Sequence, residues 1–151
     1  MKQLKLILIL VFFTLNAIGQ CTHAFDDNDV RSGIKQQGGA EAFLKALSKR
    51  YAQNLPQQLD SETWLLSSLA TGLQLNLTHR LVSIETTDDL DDPSAVNTFI
   101  KFQSNKLCSS PVSKILINEY GVTYRYQYLG NTGKTLFVFN VNKKNCLALN
   151  N

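Results

Sequence analysis

Two histidines give this chain its clearest means of acid–base chemistry. A small exported nuclease or other hydrolase can pair an imidazole with a carboxylate, so that one group removes a proton and the other protonates the leaving oxygen. His79 with Glu85 or Glu119 supplies these residue types, and His23 is the second imidazole. His79, however, shares the leucine face of a predicted strand, where a hydrogen-bonded core histidine is commoner. We therefore predict no catalytic residue and no enzyme activity, and keep hydrolysis by His79 with a carboxylate as the alternative.

Sequence motifs of the common hydrolase, metal and redox classes do not occur in the chain. It contains no G-x-S-x-G, H-E-x-x-H or C-x-x-C, so serine hydrolases, zincins and thioredoxin-type proteins lose their usual sequence support. Two acidic clusters, residues 26–29 and 88–92, lack the glycine and the final glutamate that an EF-hand loop needs. Helix capping accounts for the second cluster. We therefore predict neither a metal nor a cofactor.

A group of cations near the C-terminus has the chemistry to hold an anion. Arg125 lies on a predicted strand with alternating tyrosines, and lysines lie at both ends of the last predicted hairpin and on a neighbouring helix. Cations beside amphipathic aromatic side chains bind phosphate or carboxylate groups. The predicted ligand-binding residues are Lys134, Lys143, Lys144, Arg125 and Lys114. Their ligand would be a lipid head group or an acidic protein, and nucleic acid is not favoured.

The N-terminus has the pattern of an export signal. Two lysines, Lys2 and Lys5, precede an apolar run over residues 6–15, which is followed by a small-x-small cleavage site ending at Gly19. The run is too short for a membrane-spanning helix, which needs about 20 apolar residues. We predict a signal peptide over residues 1–19 and a single domain over residues 20–151, located in the periplasm or secreted.

Removal of this signal changes the charge that a partner would meet. The formal net charge of the whole chain is +3, and two of its positive charges are lysines of the signal. Residues 20–100 carry six lysines and arginines against eleven acidic residues, whereas residues 101–151 carry seven against one. The mature domain is therefore nearly neutral overall but basic in its C-terminal part, which would orient an anionic partner toward that part.

Three cysteines remain after export, and in an oxidising compartment two of them should pair. Cys108 and Cys146 each lie just beyond a predicted element, whereas Cys21 lies among the first residues of the mature chain. We therefore predict a Cys108–Cys146 disulfide. Lipidation of Cys21 would need a small residue before it, and this chain has Gln20. The role of Cys21 stays open between a lipid anchor, a free thiol and an intermolecular disulfide.

The elements that must position these residues follow from periodicity. In the N-terminal half, residues 29–37 and 40–53 predict two helices, the second ended by a proline. Residues 63–70 are compatible with a strand, residues 73–81 have a period of two residues, and together they predict a hairpin around a Thr-Gly turn. The predicted inward stripe of the second helix consists of Phe43, Ala46, Leu47 and Tyr51.

Capping residues and a second hairpin organise the C-terminal half. An Asp-Pro pair at 92–93 and a Ser-Pro pair at 110–111 predict two helix starts, and Gly121 predicts the end of the second helix. Alternation over residues 122–128 and the aromatic and β-branched composition of residues 135–141 predict two strands joined by a glycine-rich turn. The predicted fold is α+β: two antiparallel β-hairpins form one sheet, helices pack on one face, and the disulfide links the layers.

The C-terminal run LCSSPVSKILINEYGVTYRYQYLGNTGKTLFVFNVNKKNC resembles a pattern in small, largely uncharacterised exported bacterial proteins. The pattern is a cysteine before a short helix, Gly-Val and an alternating tyrosine strand, a glycine turn, and a final cysteine. The resemblance covers about the last third of the chain. It implies an exported bacterial α+β domain with Cys108 bonded to Cys146 and a secreted accessory or virulence role, and it carries over no catalytic residue.

These observations favour function by binding. The predicted function is an exported bacterial interaction protein, a host-association or virulence accessory factor whose basic C-terminal surface binds an anionic ligand. Two alternatives stay open, the hydrolase or nuclease described above and a periplasmic inhibitor or immunity-type protein with one tight protein partner. The sequence leaves the ligand, the oligomeric state and the choice between periplasm and exterior undecided.

Overall fold

A computed structural model describes residues 26–90 and 93–149. The predicted signal peptide, Cys21, His23 and the capping role of Asp92 lie outside the described residues. In chain order the elements are α1 (Asp27–Gln36), α2 (Ala40–Ala52), β1 (Gln57–Gln58), β2 (Thr63–Thr71), β3 (Gln74–Leu81), a 3-10 turn (Thr87–Asp89), α3 (Pro93–Ser109), α4 (Pro111–Tyr120), β4 (Thr123–Leu129), β5 (Thr135–Val141) and α5 (Lys143–Leu149).

The strands form one five-stranded sheet in the order β1-β2-β3-β4-β5. The α+β class and both predicted hairpins, β2–β3 and β4–β5, are confirmed. The description of the sheet needs two corrections. A short strand, β1, pairs with β2, and β3 pairs with β4 in parallel. β3 and β4 run parallel because α3 and α4 carry the chain back along the sheet before β4 begins. A parallel pair of strands requires such a long connection.

The hydrophobic core lies between one face of the sheet and the helices, as predicted. Alternation in β3 and β4 turns leucines and tyrosines to this face, and residues of α1, α2, α4 and α5 pack on them. Ile34, Leu44 and Leu116 are fully buried at this contact. Within the described ranges, no helix is long and apolar enough to cross a membrane.

The inward stripe of α2 differs from the prediction. Ala40, Leu44 and Ser48 are its buried residues, Phe43 and Leu47 are only partly buried, and Ala46 is exposed. A buried serine is tolerated here because the Ser48 hydroxyl donates a hydrogen bond of 2.9 Å to a backbone carbonyl of β2. The buried stripe of α2 is therefore rotated by about one residue relative to the stripe that the apolar residues alone predict.

The capping signals of the C-terminal half are confirmed for α4. Ser110 is its N-cap, Pro111 is its first residue, and Gly121 ends it in the left-handed region at φ 71°. The additional helix α5 was not predicted. The Asn142 side chain accepts hydrogen bonds from the backbone N–H groups of Lys144 and Asn145, and so caps a helix that apolar periodicity does not reveal.

The Cys108–Cys146 disulfide is confirmed, with a Cα–Cα distance of 5.4 Å. Cys108 lies in α3, and Cys146 is buried within α5. The bond therefore joins two helices, α3 and α5, and does not link the sheet to the helical layer as predicted, because the chain forms a further helix after β5.

Candidate functional site

The face of the sheet opposite the core is not covered by any helix of the described chain, and we call it the open sheet face. Its side chains are those that alternate with the buried residues of β2 to β5 and meet one another across the strand register. They are Trp64, Ser67, Leu69, Thr71, Gln74, Asn76, Thr78, Arg80, Thr123, Arg125, Gln127, Leu129, Thr135, Val138 and Asn140.

Amides and hydroxyls form much of this face. The Gln74 side-chain amide donates a hydrogen bond of 2.6 Å to Asn76, and the Asn76 amide donates one of 3.2 Å to the backbone carbonyl of Leu69. Gln127 donates one of 3.0 Å to the hydroxyl of Thr135. These hydrogen bonds join side chains of β3 to one another and to the backbone of β2, and a side chain of β4 to one of β5, so they hold the polar part of the face in a defined arrangement.

Two arginines give the open sheet face its charge. Arg80 on β3 and Arg125 on β4 are both half-buried, and the register places Arg125 opposite Asn76, four residues before Arg80. Their Cα atoms are therefore about 14 Å apart. None of the strand positions named above holds an aspartate or a glutamate, and the ion pairs found in the described part of the chain are those of Arg31 with Asp27 and Glu119. With respect to residues 26–90 and 93–149, both guanidinium groups are therefore available to an anionic partner.

Apolar side chains lie toward the two sides of the same face. Leu69 on β2 is 62% exposed and Val138 on β5 is 41% exposed. Trp64, opposite Arg80, is half-buried. A surface that combines arginine, an aromatic ring and exposed aliphatic side chains has the composition of a protein interface. The arrangement can bind carboxylates bidentately and cover apolar groups beside them.

The predicted ligand-binding lysines do not lie together with Arg125. Lys134 is exposed in the β4–β5 turn, whereas Lys143 and Lys144 are exposed at the start of α5. The seven residues of β5 separate these two positions by about 20 Å. Lys114 is exposed on α4, in the helical layer on the other side of the sheet. No small anion can contact all five residues.

Arg80 is the functional candidate that the sequence prediction missed. The two-residue period of β3 was visible in the sequence and already assigned its leucines and His79 to the inner face. The same period assigns Arg80 to the outer face, and only the parallel pairing with β4 shows that Arg125 shares this face. The signal was present in one strand, but the strand order was needed to use it.

His79 lies in the core and is 1% exposed. Its ring stacks with those of Tyr126 and Tyr128 at centroid distances of 5.7 and 4.8 Å. Burial lowers the pKa of His79 to about 4, so the ring is neutral at neutral pH. Within the described chain its Nδ1 has no hydrogen-bond partner. A ring in this position cannot reach a substrate at the surface.

The carboxylates considered with His79 have other positions. Glu119 accepts hydrogen bonds of 2.6 and 2.8 Å from the guanidinium of Arg31, which joins α4 to α1. Glu85 is exposed in the segment between β3 and α3. Among the residues described, no three or more of the types His, Cys, Asp and Glu are grouped as a metal would require. The structure therefore does not bring the residues of the hydrolase alternative together.

The tyrosines of β4 are core residues. Tyr124, Tyr126 and Tyr128 are each no more than 8% exposed, and burial raises the pKa of all three hydroxyls, that of Tyr124 to about 12. Hydrogen bonds link Tyr124 to Ser113 and Tyr128 to Gln103. They pack beneath the helices, so a partner would meet Arg125 and Gln127 on the opposite side of this strand.

A shallow depression of about 550 Å³ lies on the helical side between α1, the turn that follows it at Gly38 and Gly39, and the end of α4. Arg31 and Lys35 contribute its charge, and Ile34 and Tyr120 contribute its apolar wall. Arg31 is already neutralised by Glu119. The depression is therefore a weaker candidate for an anion than the open sheet face.

Comparisons with known proteins identify the fold. No protein-family model matches the sequence, and no curated protein matches it. A predicted secreted protein of Pseudomonas aeruginosa has a TM-score of 0.59 at 12% identity, covering 71% of this chain and 92% of that one. EpsS, a pilotin of the Vibrio vulnificus type II secretion system, has a TM-score of 0.56 at 13% identity, covering 77% and 96%. The type II secretion pilotin AspS of Vibrio cholerae has a TM-score of 0.55 at 17% identity, covering 76% and 99%. At these identities the likeness shows a shared fold.

Proposed function

We propose that this protein is an exported interaction protein that binds an acidic segment of a protein partner on its open sheet face. The observation that carries the proposal is the charge of that face, where Arg80 and Arg125 form no ion pair with any carboxylate of the described residues. A mostly antiparallel sheet can leave one face in water without any binding role. What favours a partner here is that these arginines, which have no ion-pair partner in the part of the chain that the structure describes, lie beside exposed aliphatic side chains.

Arginine suits a protein carboxylate in this setting. Its planar guanidinium offers two parallel N–H groups to one carboxylate, and its charge does not depend on pH in the ordinary range. Leu69 and Val138 would then cover apolar side chains next to the acidic residues. A lipid surface fits less well, because the face is a flat arrangement of strands with apolar groups on its sides and only two cations.

The similar folds support an extracytoplasmic accessory role. Two of them belong to type II secretion pilotins and one to a predicted secreted protein. The Cys108–Cys146 disulfide also fits an oxidising compartment outside the cytoplasm. We infer that the partner is a component of an envelope or secretion assembly. A host-association or virulence role would require the protein to pass beyond the envelope, and it stays a prediction.

Charge reversal on the open sheet face tests the proposal. The tagged protein would be purified from its native cells as wild type and as the Arg80→Glu, Arg125→Glu double variant, and co-purifying proteins would be quantified by mass spectrometry. The Lys45→Glu, Lys49→Glu variant is the matched control, because it changes the net charge equally on exposed positions of α2. We expect one partner to be lost from the first variant and kept by the control.

Two results would count against the proposal. Retention of every partner by the double variant would show that the arginines do not bind one. Equal loss from both variants would show that net charge alone matters. Circular dichroism of each variant checks that the fold persists, which is expected because all four side chains are half-buried or exposed.

A further inference from the structure

The free edge of β5 is the second feature of the surface that lacks a partner. β5 is the last strand of the sheet order, so the described chain leaves its outer edge without a neighbouring strand. We propose that the acidic partner segment adds to this edge as an extra strand, with its carboxylates reaching lysines at the two ends of β5. This inference rests on the proposed function, since it specifies how the partner binds.

The backbone of β4 shows which groups of β5 are already used. The Thr123 N–H donates to the carbonyl of Leu73, toward β3, and the Gly130 N–H donates to the carbonyl of Lys134, toward the β5 side. Backbone groups of successive residues in a strand point to opposite neighbours. The even-numbered residues of β4 therefore face β5 with both their N–H and their C=O.

The register then identifies the free groups. Tyr124 pairs with Val141 and Tyr126 with Phe139, so Val141 and Phe139 direct their N–H and C=O toward β4. Val138 and Asn140, which alternate with these two residues, therefore direct their N–H and C=O groups away from the sheet. The side chains of these two outward-directed residues lie on the open sheet face, which makes the edge continuous with that face.

The edge of β5 is less protected than the opposite edge of the sheet. At the β2 edge, β1 pairs with Trp64 and Leu65, and a register shift follows between Leu65 and Ser67. Short covering strands and bulges are devices that prevent strand addition. β5 has neither a charged residue nor a proline between Thr135 and Val141. Its irregularity is confined to the start of the strand, beside Leu129.

Lysines flank the edge and decide what kind of strand it fits. Lys134 precedes β5, and Lys143 and Lys144 follow it, all exposed and without an ion pair in the part of the chain that the structure describes. The chain has no acidic residue after Glu119. Pairing of β5 with a second copy would set lysine against lysine in either orientation. A strand with apolar centre and acidic ends has the complementary charge.

A designed peptide tests this inference directly. The probe is a synthetic peptide of about seven alternating valines and threonines, which matches the length of β5, with glutamates at both ends. Hydrogen exchange of backbone amides is followed by NMR with and without the peptide. We expect exchange at Val138 and Asn140 to slow by about tenfold or more, and exchange at Phe139 to change little, because its N–H already faces β4.

Charge reversal at the flanking lysines supplies the second arm. The Lys134→Glu, Lys143→Glu, Lys144→Glu variant should bind the glutamate peptide at least about tenfold more weakly than the wild type does. It should instead prefer a peptide of the same sequence with lysines at its ends. A variant with the same charge change on exposed helical positions, Lys35→Glu, Lys45→Glu, Lys49→Glu, should keep the preference of the wild type.

The outcomes separate this inference from the proposed function. Peptide binding that depends on Arg80 and Arg125 but leaves exchange at Val138 and Asn140 unchanged would overturn strand addition and leave the open sheet face as the site. Failure of the glutamate peptide to bind the wild type would overturn the edge inference, while the co-purification result judges the proposed function independently. If the three lysines bind phosphatidylglycerol vesicles and no peptide binds, the lysines contact a lipid surface and the edge inference is overturned.

Discussion

Acidification should destabilise this protein through His79. The ring is buried between two tyrosines, and burial lowers its pKa from 6.5 to about 4. In the unfolded chain the ring takes up a proton near its ordinary pKa, so at pH values between 6.5 and 4 the unfolded state binds more protons than the folded state. The stability that comes from a neutral His79 is therefore complete above pH 6.5 and is lost as the pH falls toward 4.

The size of this effect follows from the two pKa values. Each unit between them corresponds to about 1.4 kcal/mol of free energy of unfolding, which gives about 3 kcal/mol in all. At about pH 4.5 most of it, about 2.5 kcal/mol, has been lost relative to neutral pH. Carboxylates also titrate in this range, so the effect must be measured against a variant that lacks only the imidazole.

The assay compares the wild type with His79→Phe, which keeps an aromatic ring beside Tyr126 and Tyr128 but does not titrate. Urea unfolding followed by circular dichroism at about pH 7.5 and about pH 4.5 gives four free energies of unfolding. We expect the wild type to lose about 2.5 kcal/mol more than the variant on acidification. An equal loss in both proteins would refute the reasoning. A ring-proton NMR titration of His79 in the wild type gives the pKa independently if the variant folds poorly.

Two further predictions concern the scaffold. Gly130→Ala should lower the free energy of unfolding by about 1 to 3 kcal/mol, because a Cβ there would meet the carbonyl oxygens of Ile84, at 2.8 Å, and of Glu85. The control substitution Gly33→Ala, at an uncrowded position of α1, should instead raise the free energy of unfolding by up to about 1 kcal/mol. Urea unfolding that shows the same change for both variants would contradict the close approach at Gly130. Reduction of the disulfide, which joins residues 38 apart, should cost about 4 kcal/mol in the chain-entropy model, measured as the stability of the reduced protein; an unchanged stability would show that α5 docks without it.

Much of the fold could be predicted because it depends on local patterns. The two-residue period of the tyrosines in β4 requires one buried face, and this signal needs no knowledge of the rest of the chain. Pro111 and Gly121 fix the ends of α4 through their own backbone preferences. The pairing of Cys108 with Cys146 followed from the compartment and from their positions beside predicted elements.

The remaining features depend on contacts between distant segments. Gln57 and Gln58 have no apolar pattern, and they form β1 only because the edge of β2 is available to pair. The parallel pairing of β3 with β4 depends on the path of the helices between them. Similarly, Lys134 and Lys143 are close in sequence but lie at opposite ends of a strand, so proximity in sequence did not predict a shared site.

The most direct test of the central claim is site-specific photocrosslinking in the native cells. A benzophenone amino acid would replace Val138 on the open sheet face in one variant and Lys45 on α2 in a control variant, with each protein purified under denaturing conditions. We predict that the variant with the crosslinker at position 138 gives one discrete crosslinked product, which contains this protein and a single partner protein. This product should disappear when Arg80 and Arg125 are changed to glutamate. A crosslinked partner at position 45 and none at position 138 would contradict the assignment of the open sheet face as the binding site.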